Sequence, residues 1–290
     1  MEGYTIHRCL KCGHGFLHPA PSQAELNQLY DTSRAEVFNS NAFALVKSFQ
    51  ADPSGMLYYY RWFLRECLSA LDRGQEERPR VLEVDCGCGV FLRCLKDVLS
   101  AQVLGLEINP HAAEVGRQEL GVPIEVGTVD DLPPSKDFDL ILLTAILEHL
   151  PHPEALLAGL IPRLRPGGSI LILVPNFRGV YRNLMGRRWL WYMPPYHLHH
   201  FTPESMRRLI AAAGGRPRRM RTLNTGTYLF LIHYLVFGRA KEADSVSAGK
   251  LSLSRVKRLD NLARLFLSPL TWPLKLLDRE AHIVAWVGNE

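Results

Sequence analysis

The sequence has no apolar run long enough to cross a lipid bilayer, which takes about 20 residues. The two candidate stretches, residues 228–237 and 262–277, are too short, and the second carries two prolines. The opening Met-Glu-Gly-Tyr lacks the basic and apolar regions of a secretion signal. We therefore expect a cytoplasmic protein whose six cysteines stay reduced.

Internal repeats and nucleic-acid-binding motifs are also absent, so we expect no nucleic-acid partner. The net charge of +5 is modest for 290 residues, and 47% hydrophobic residues are enough for a sizeable core. Arginines concentrate in residues 178–188 and 207–221. These two segments suit an anionic substrate, a membrane surface or an ordinary solvated face.

The most informative stretch is residues 81–89, where a short apolar run ends in closely spaced glycines. A helical pattern follows at 91–99, so the local structure is predicted to be strand, tight turn and helix. Glycines let the backbone approach a ligand closely, and the helix start offers N–H groups to it. Glu107 ends the next apolar run, about 20 residues on, where a carboxylate suits ribose hydroxyls. Together these features predict a nucleoside-containing cofactor.

The central part of the chain alternates between apolar runs and helical patterns, which is typical of an α/β protein with a parallel sheet. Ligands of such sheets bind beyond the carboxyl ends of the strands. Strands are predicted at 81–84, 102–106, 123–126, 138–143 and 169–174, and helices near 91–99, 111–120 and 153–164.

Four segments in this order resemble the motifs of class I S-adenosylmethionine (SAM) methyltransferases: residues 83–89, 127–133, 144–153 and 164–168. The third, with Glu148-His149 and Pro153, is similar to the small-molecule branch related to ubiquinone biosynthesis. The resemblance implies a Rossmann-like, seven-stranded, mostly parallel sheet with helices on both faces and an antiparallel last strand. Its last two strands are expected near 216–223 and 283–287.

The same resemblance implies which residues bind SAM. Asp85 departs from the family pattern, which has glycine there, and its side chain is expected to affect how closely the methionine part of SAM approaches. The expected cofactor-binding residues are Glu83, Asp85, Gly87, Gly89, Glu107, Ile108, Thr128, Val129, Asp130 and Thr144.

The predicted reaction is methyl transfer from SAM to a small-molecule, sugar-like or lipid-like acceptor, at oxygen. A hydroxyl acceptor needs a base, and histidine has a suitable pKa. The candidates are His149 first, then His197 and His200. Two alternatives stay open: a non-catalytic SAM-binding pseudoenzyme or accessory protein, which Asp85 would explain, and a nicotinamide-dependent oxidoreductase, which would share the glycine-rich turn and Glu107.

We expect two regions, an N-terminal knuckle and helical cap at 1–78 and a SAM-binding domain at 79–290. The second is predicted to carry a substrate-covering insertion at about 176–200 and an irregular apolar one at about 225–280. Cys9 and Cys12 resemble the second half of a zinc ribbon found on some methyltransferases. A structural zinc needs four ligands, and a second Cys-x-x-Cys is missing, so no metal is expected.

The acceptor is expected to be a small molecule or a lipid-linked one. Arginines and aromatic residues of the 176–200 insertion suit a phosphate and a sugar face or acyl chain. Residues 262–277, with Trp272, have two interpretations: an amphipathic segment resting in a membrane interface, or ordinary core packed on the sheet.

Overall fold

The structure is a computed structural model that describes residues 3–29, 34–71, 78–133, 138–224, 273–274 and 276–289. Within residues 34–71, side chains are described from residue 43 onward. The sequence predictions for residues 225–272, which include Trp272 and most of the apolar insertion, concern residues outside the described ranges. Among the described helices, none is both long and apolar enough to cross a membrane.

The strands form two sheets. Their bounds are β1 (Thr5–Arg8), β2 (Gly15–His18), β3 (Arg80–Val84), β4 (Gln102–Glu107), β5 (Ile124–Val126), β6 (Phe138–Thr144), β7 (Leu164–Pro175), β8 (His199–His200), β9 (Arg216–Leu223) and β10 (His282–Gly288). The large sheet has the order β5-β4-β3-β6-β7-β10-β9. Its first five strands are parallel, and β10 runs antiparallel to both β7 and β9. The predicted fold class is therefore confirmed.

Helices flank both faces of this sheet. Their bounds are α1 (Gln23–Gln28), α2 (Arg34–Ala51), α3 (Pro53–Ala70), α4 (Val90–Leu99), α5 (Pro110–Val115), α6 (Pro153–Leu160), α7 (Val180–Met185) and α8 (Pro203–Ala212). Residues 116–120 continue α5 as a π-helix. Asp52 caps α3 and Thr202 caps α8, and each is followed by proline at the first helical position, where its missing N–H costs nothing.

Strand β3 lies inside the sheet, between β4 and β6, and it carries apolar side chains on both of its faces. Val81 joins a core cluster with α3 and α4, whereas Leu82 joins a second cluster with α6 and α8. Alternate residues of a strand point to opposite faces, so this short strand contributes to both cores. A strand buried in this way fixes the position of the turn that follows its carboxyl end.

The smaller sheet connects the N-terminal knuckle to the 176–200 insertion. Strand β2 pairs with β1 along four residues and with β8 through Gly15 and Phe16. The Leu17 N–H donates to the Leu198 carbonyl at 3.0 Å, and the Leu198 N–H donates to the Glu148 carbonyl at 2.8 Å. These bonds place the knuckle and the insertion over the turn that follows β6.

Candidate functional site

The glycine-rich turn begins at Asp85, directly after β3. Asp85, Gly87 and Gly89 all have left-handed backbones, with φ of 58°, 56° and 70°. Glycine adopts this conformation freely, and aspartate is among the few other residues that tolerate it. A Cβ at Gly89 would lie 3.0 Å from the Ile124 side chain, so this glycine is also required by packing. The aspartate in place of the first glycine keeps the turn and adds a carboxylate to it.

Glu107 fastens this turn to the end of β4. One carboxylate oxygen accepts the Gly87 main-chain N–H at 2.7 Å, and the other accepts the Asn109 N–H at 2.8 Å. Each carboxylate oxygen has two acceptor positions, so a ribose diol can still bind to the same group. Glu107 therefore lies where the sequence predicts a ribose-binding residue, next to the glycine-rich turn.

Two further carboxyl groups, Glu83 and Glu148, are buried at the same edge of the sheet. Burial, with Asp85 and Glu107 nearby, raises the pKa of Glu83 to about 8. Burial also raises the pKa of Glu148 to about 8, with the Asp85 charge adding to the shift. Oε2 of Glu83 and both oxygens of Glu148 have no hydrogen-bond partner in the described part of the chain. Unpaired buried carboxyl groups favour a positively charged ligand.

This acidic edge fits SAM, whose sulfonium and ammonium groups are cationic. Thr144 ends β6 close to it, and its hydroxyl oxygen is likewise buried without a partner among the described residues. A polar cofactor that binds at the ends of these two strands would supply the hydrogen-bond partners that these buried polar atoms lack. Glu148 was not among the residues predicted to bind; the signal for it was its place beside His149 in the 144–153 segment.

Residues 127–133, the segment that resembles the adenine-binding turn of the family, follow the end of β5. Ile108 follows β4 and is half exposed, while Val129 is buried in the core below. Thr128 and Asp131 form a capping box in which each accepts from the main-chain N–H of the other. Asp130 is exposed, and within the described ranges its carboxylate accepts no hydrogen bond. Asp130 is thus better placed than Asp131 to accept from an exocyclic amine.

The turn after β6 carries His149. Ala145 begins this turn with φ of 53°, a left-handed backbone that alanine rarely adopts, and a short 3-10 turn spans Leu147–His149. The His149 Nδ1 lies 3.0 Å from the Tyr196 carbonyl oxygen, so the turn is tied to the insertion. The His149 ring meets the His197 ring edge to face, with centroids 4.6 Å apart.

The three histidines predicted for catalysis differ in their surroundings. His197 is buried, its Nδ1 lies 2.8 Å from the Trp191 carbonyl, and burial together with His149 lowers its pKa to about 3. His200 is buried against Phe177, and burial lowers its pKa to about 3 as well. His149 is half-buried. The structure brings His149 and His197 together and places His200 behind them.

Three side chains in this turn region could also hold a metal ion. Donor atoms of Glu148, His149 and His197 all lie within 4.8 Å of one another. The knuckle is different: Cys9 and Cys12 are close enough to hydrogen-bond, but in the described ranges they belong to no group of three potential ligands. His14 is not available to them, since its ring contacts His199 and Ser205.

The order and geometry of these elements agree with comparisons to known proteins. A family model described as "Methyltransferase domain" matches residues 56–216, more than half of the chain. The chain belongs to this methyltransferase family. The predicted enzyme class and its cofactor, SAM, are confirmed at the level of the family. The alternative of a nicotinamide-dependent oxidoreductase is therefore rejected.

Curated relatives match a shorter part of the chain. The ubiquinone biosynthesis O-methyltransferase of Xanthomonas euvesicatoria is 30% identical over 131 residues, 42% of this chain and 54% of that protein. The trans-aconitate 2-methyltransferase of Streptomyces coelicolor is 31% identical over 153 residues, 47% of this chain and 50% of that protein. The chain thus spans about half the length of the curated relatives it matches.

A solved structure shows the same fold. The crystal structure of a SAM-dependent methyltransferase from Archaeoglobus fulgidus superposes with a TM-score of 0.51 at 18% identity. The match covers 81% of this chain and 94% of that one. At this identity the likeness concerns the fold alone.

Proposed function

We propose that the chain transfers the methyl group of SAM to an oxygen atom of a small-molecule acceptor, with His149 as the base. The observation that carries the proposal is the position of His149, at the carboxyl end of β6 beside the acidic edge. Its Nδ1 faces the Tyr196 carbonyl at 3.0 Å. Because a carbonyl only accepts, Nδ1 carries the proton and Nε2 is the basic nitrogen.

The three histidines are proposed to have different roles at this site. A base acts best when its pKa lies near the working pH, and a group whose pKa is about 3 is a weak base. His197 and His200 are therefore proposed as neutral groups that pack and orient, and His149 as the proton acceptor. The Trp191 carbonyl fixes the His197 tautomer with Nε2 unprotonated, which places a second lone pair near His149.

SAM, when bound, supplies a methyl group already activated by its sulfonium. The chain would hold it through Glu107 at the ribose, the glycine-rich turn at the methionine part and Asp130 at adenine. The positive charge of SAM would favour the ionised forms of Glu83 and Glu148, whose pKa values are raised by burial, and these carboxylates together with Asp85 would offset that charge. Since the activated methyl needs little further chemistry, positioning and exclusion of water would be the main contributions of the protein.

Oxygen is proposed as the methylated atom because one relative is named an O-methyltransferase of ubiquinone biosynthesis. A second relative is named for trans-aconitate, a small carboxylic acid. The two names share a small acceptor and differ in its chemistry. These relatives therefore support the proposal of a small-molecule acceptor as a class.

A second candidate is a non-catalytic SAM-binding protein. It is favoured by Asp85, which places a carboxylate where the family pattern has glycine and where the carboxylate of SAM is expected. Like charges at short distance repel, so binding would be weakened.

The test is formation of S-adenosylhomocysteine from SAM with small phenols and carboxylic acids as acceptors. His149→Ala should leave SAM affinity in calorimetry unchanged and slow turnover by about 10²-fold or more. His152→Ala, an exposed histidine of the same segment, is the matched control and should retain activity.

Other outcomes point elsewhere. SAM binding without turnover of any acceptor favours the non-catalytic candidate, and full activity of His149→Ala moves the base to His197 or His200. If a chelator abolishes wild-type turnover and a divalent ion restores it, His149 acts as a metal ligand with Glu148 and His197 rather than as the base.

A further inference from the structure

A cavity of about 590 Å³ lies between the N-terminal knuckle, the insertion and the start of α8. Five cationic side chains line it, from three separate parts of the chain: Arg8, Lys11, Arg178, Arg182 and Arg279. Only the fold brings them together, because Arg8 and Arg279 are far apart in the chain. Cavities of this size accommodate small organic ligands.

The described residues provide no ion-pair partner for the positive charge of this cationic cavity. None of its five cations forms an ion pair with a carboxylate in the part of the chain that the structure describes. Glu204 is the acidic residue in the lining, and it already pairs with Arg208 at 3.0 Å on its own helix. Like charges gathered around one cavity repel each other unless an anion enters.

Neutral partners hold two of the guanidinium groups in place. Arg182 lies over the Phe177 ring, 4.3 Å from its centroid, and donates to the Tyr192 hydroxyl at 3.3 Å. Arg279 donates to the Arg178 carbonyl at 3.3 Å. Guanidinium groups ordered in this way keep N–H donors for a ligand, and their planar fork matches phosphate oxygens.

The cavity is separate from the acidic edge where SAM is proposed to bind. Phe177 lines the cavity, and its ring also stacks on His200 with centroids 5.3 Å apart. None of the acidic-edge residues Glu83, Glu107 and Glu148 lines the cavity, so the two sites present opposite charges to their ligands.

We propose that the cationic cavity binds a phosphate or diphosphate group, carried by a soluble molecule or by a lipid headgroup. The exposed Leu10 at its rim, beside Lys11, is compatible with either source. This site depends on neither SAM nor methyl transfer, and it can be tested without them.

The first measurement is calorimetry of the full chain with inorganic pyrophosphate at low ionic strength, where exposed charges are least screened. Saturable binding is expected, and the double variant Lys11→Gln, Arg178→Gln should weaken it at least tenfold. The matched control is Arg187→Gln, Arg188→Gln, two exposed arginines of the same insertion that do not line the cavity. Equal melting temperatures of the variants establish that both are folded.

A second measurement separates the sources by flotation with phosphatidylcholine vesicles, with and without phosphatidic acid. Flotation that needs phosphatidic acid, is lost in the Lys11, Arg178 variant and is competed by pyrophosphate identifies a lipid headgroup. Pyrophosphate binding without flotation identifies a soluble ligand. The proposal is overturned if neither binds, if both double variants weaken binding equally, or if citrate binds as tightly as pyrophosphate.

Discussion

The Glu107 carboxylate accepts the main-chain N–H of Gly87 at 2.7 Å, across twenty positions of the sequence. Its second oxygen accepts from Asn109 at 2.8 Å. One side chain thus holds the turns after β3 and β4 together. The residue expected to bind ribose also builds the site in which ribose would lie.

Glu107→Ala is expected to weaken SAM binding at least about tenfold, since hydrogen bonds to a charged group contribute about 1.5–3 kcal/mol each. It should also lower the melting temperature, because two buried N–H groups lose their acceptor. Calorimetry and thermal unfolding measure both effects, with Glu125→Ala on the exposed side of β5 as control. A role at ribose further requires that the wild type prefer adenosine to 2′-deoxyadenosine and that the variant lose this preference. Unchanged SAM affinity would remove Glu107 from the site.

Asp85→Gly is expected to stabilise the protein by about 0.5–1 kcal/mol, because glycine adopts φ of 58° without the clash of a Cβ. SAM should bind more tightly, since the space next to the methionine part opens. Asp85→Asn is the matched control: it removes the charge but keeps the size, and it should not reproduce the gain in stability. Weaker binding in the glycine variant would show instead that the Asp85 side chain contacts the ligand.

Glu148→Gln tests the buried carboxyl group. With a pKa of about 8 in the folded chain against 4.5 normally, the folded chain binds this proton more tightly than the unfolded chain. The resulting stability is complete below about pH 4.5 and is lost as the pH rises through about 8. The variant should therefore be more stable than the wild type at about pH 9 and similar at about pH 5, measured by urea unfolding. Exposed Glu154→Gln should show no such crossover, and its absence in Glu148→Gln would contradict the assigned burial.

The buried histidines predict the opposite dependence at acid pH. The pKa values of His197 and His200 are lowered to about 3, mainly by burial. Between that value and the normal 6.5 the unfolded chain binds more protons, so stability falls as the pH falls. His200→Phe should reduce the slope of unfolding free energy against pH by about one proton, near 1.4 kcal/mol per pH unit. The exposed His152→Gln should leave the slope unchanged, and a slope unaltered by His200→Phe would mean that His200 is protonated in the folded chain.

Ala145→Gly tests the strained turn between Thr144 and His149. An alanine at φ of 53° costs about 1 kcal/mol or more, which exceeds the entropic cost of glycine. Unfolding free energy should therefore rise by about 0.5 kcal/mol. Ala155→Gly within α6 should instead lower it by about 1 kcal/mol. A loss of stability in both variants would mean that the turn relaxes in solution.

Much of the fold follows from local pattern. Strands β3, β4 and β6 are short, mainly apolar runs, and such runs are recognisable because a strand covered on both faces has few other choices of residue. Predicted and observed bounds of β9 coincide at 216–223, and those of β3 differ by one residue. The glycine-rich turn and Glu107 were found for the same reason, since a turn after a buried strand needs particular residues at fixed spacing.

The remaining features depend on contacts between distant parts of the chain. Strand β8 has two residues and carries no periodic signal, yet it joins the knuckle to the insertion. The high pKa of Glu148 and the low pKa of His197 arise from burial by neighbours that the local sequence does not specify. The cationic cavity joins Arg8 to Arg279 across almost the whole chain. The local sequence determined the sheet, because the repeated burial of side chains along a strand is visible in the sequence itself. Only the tertiary structure decided the charge environment of the site. Electrostatic energy depends on the distances between charged groups, and these distances are set by the folding of the chain.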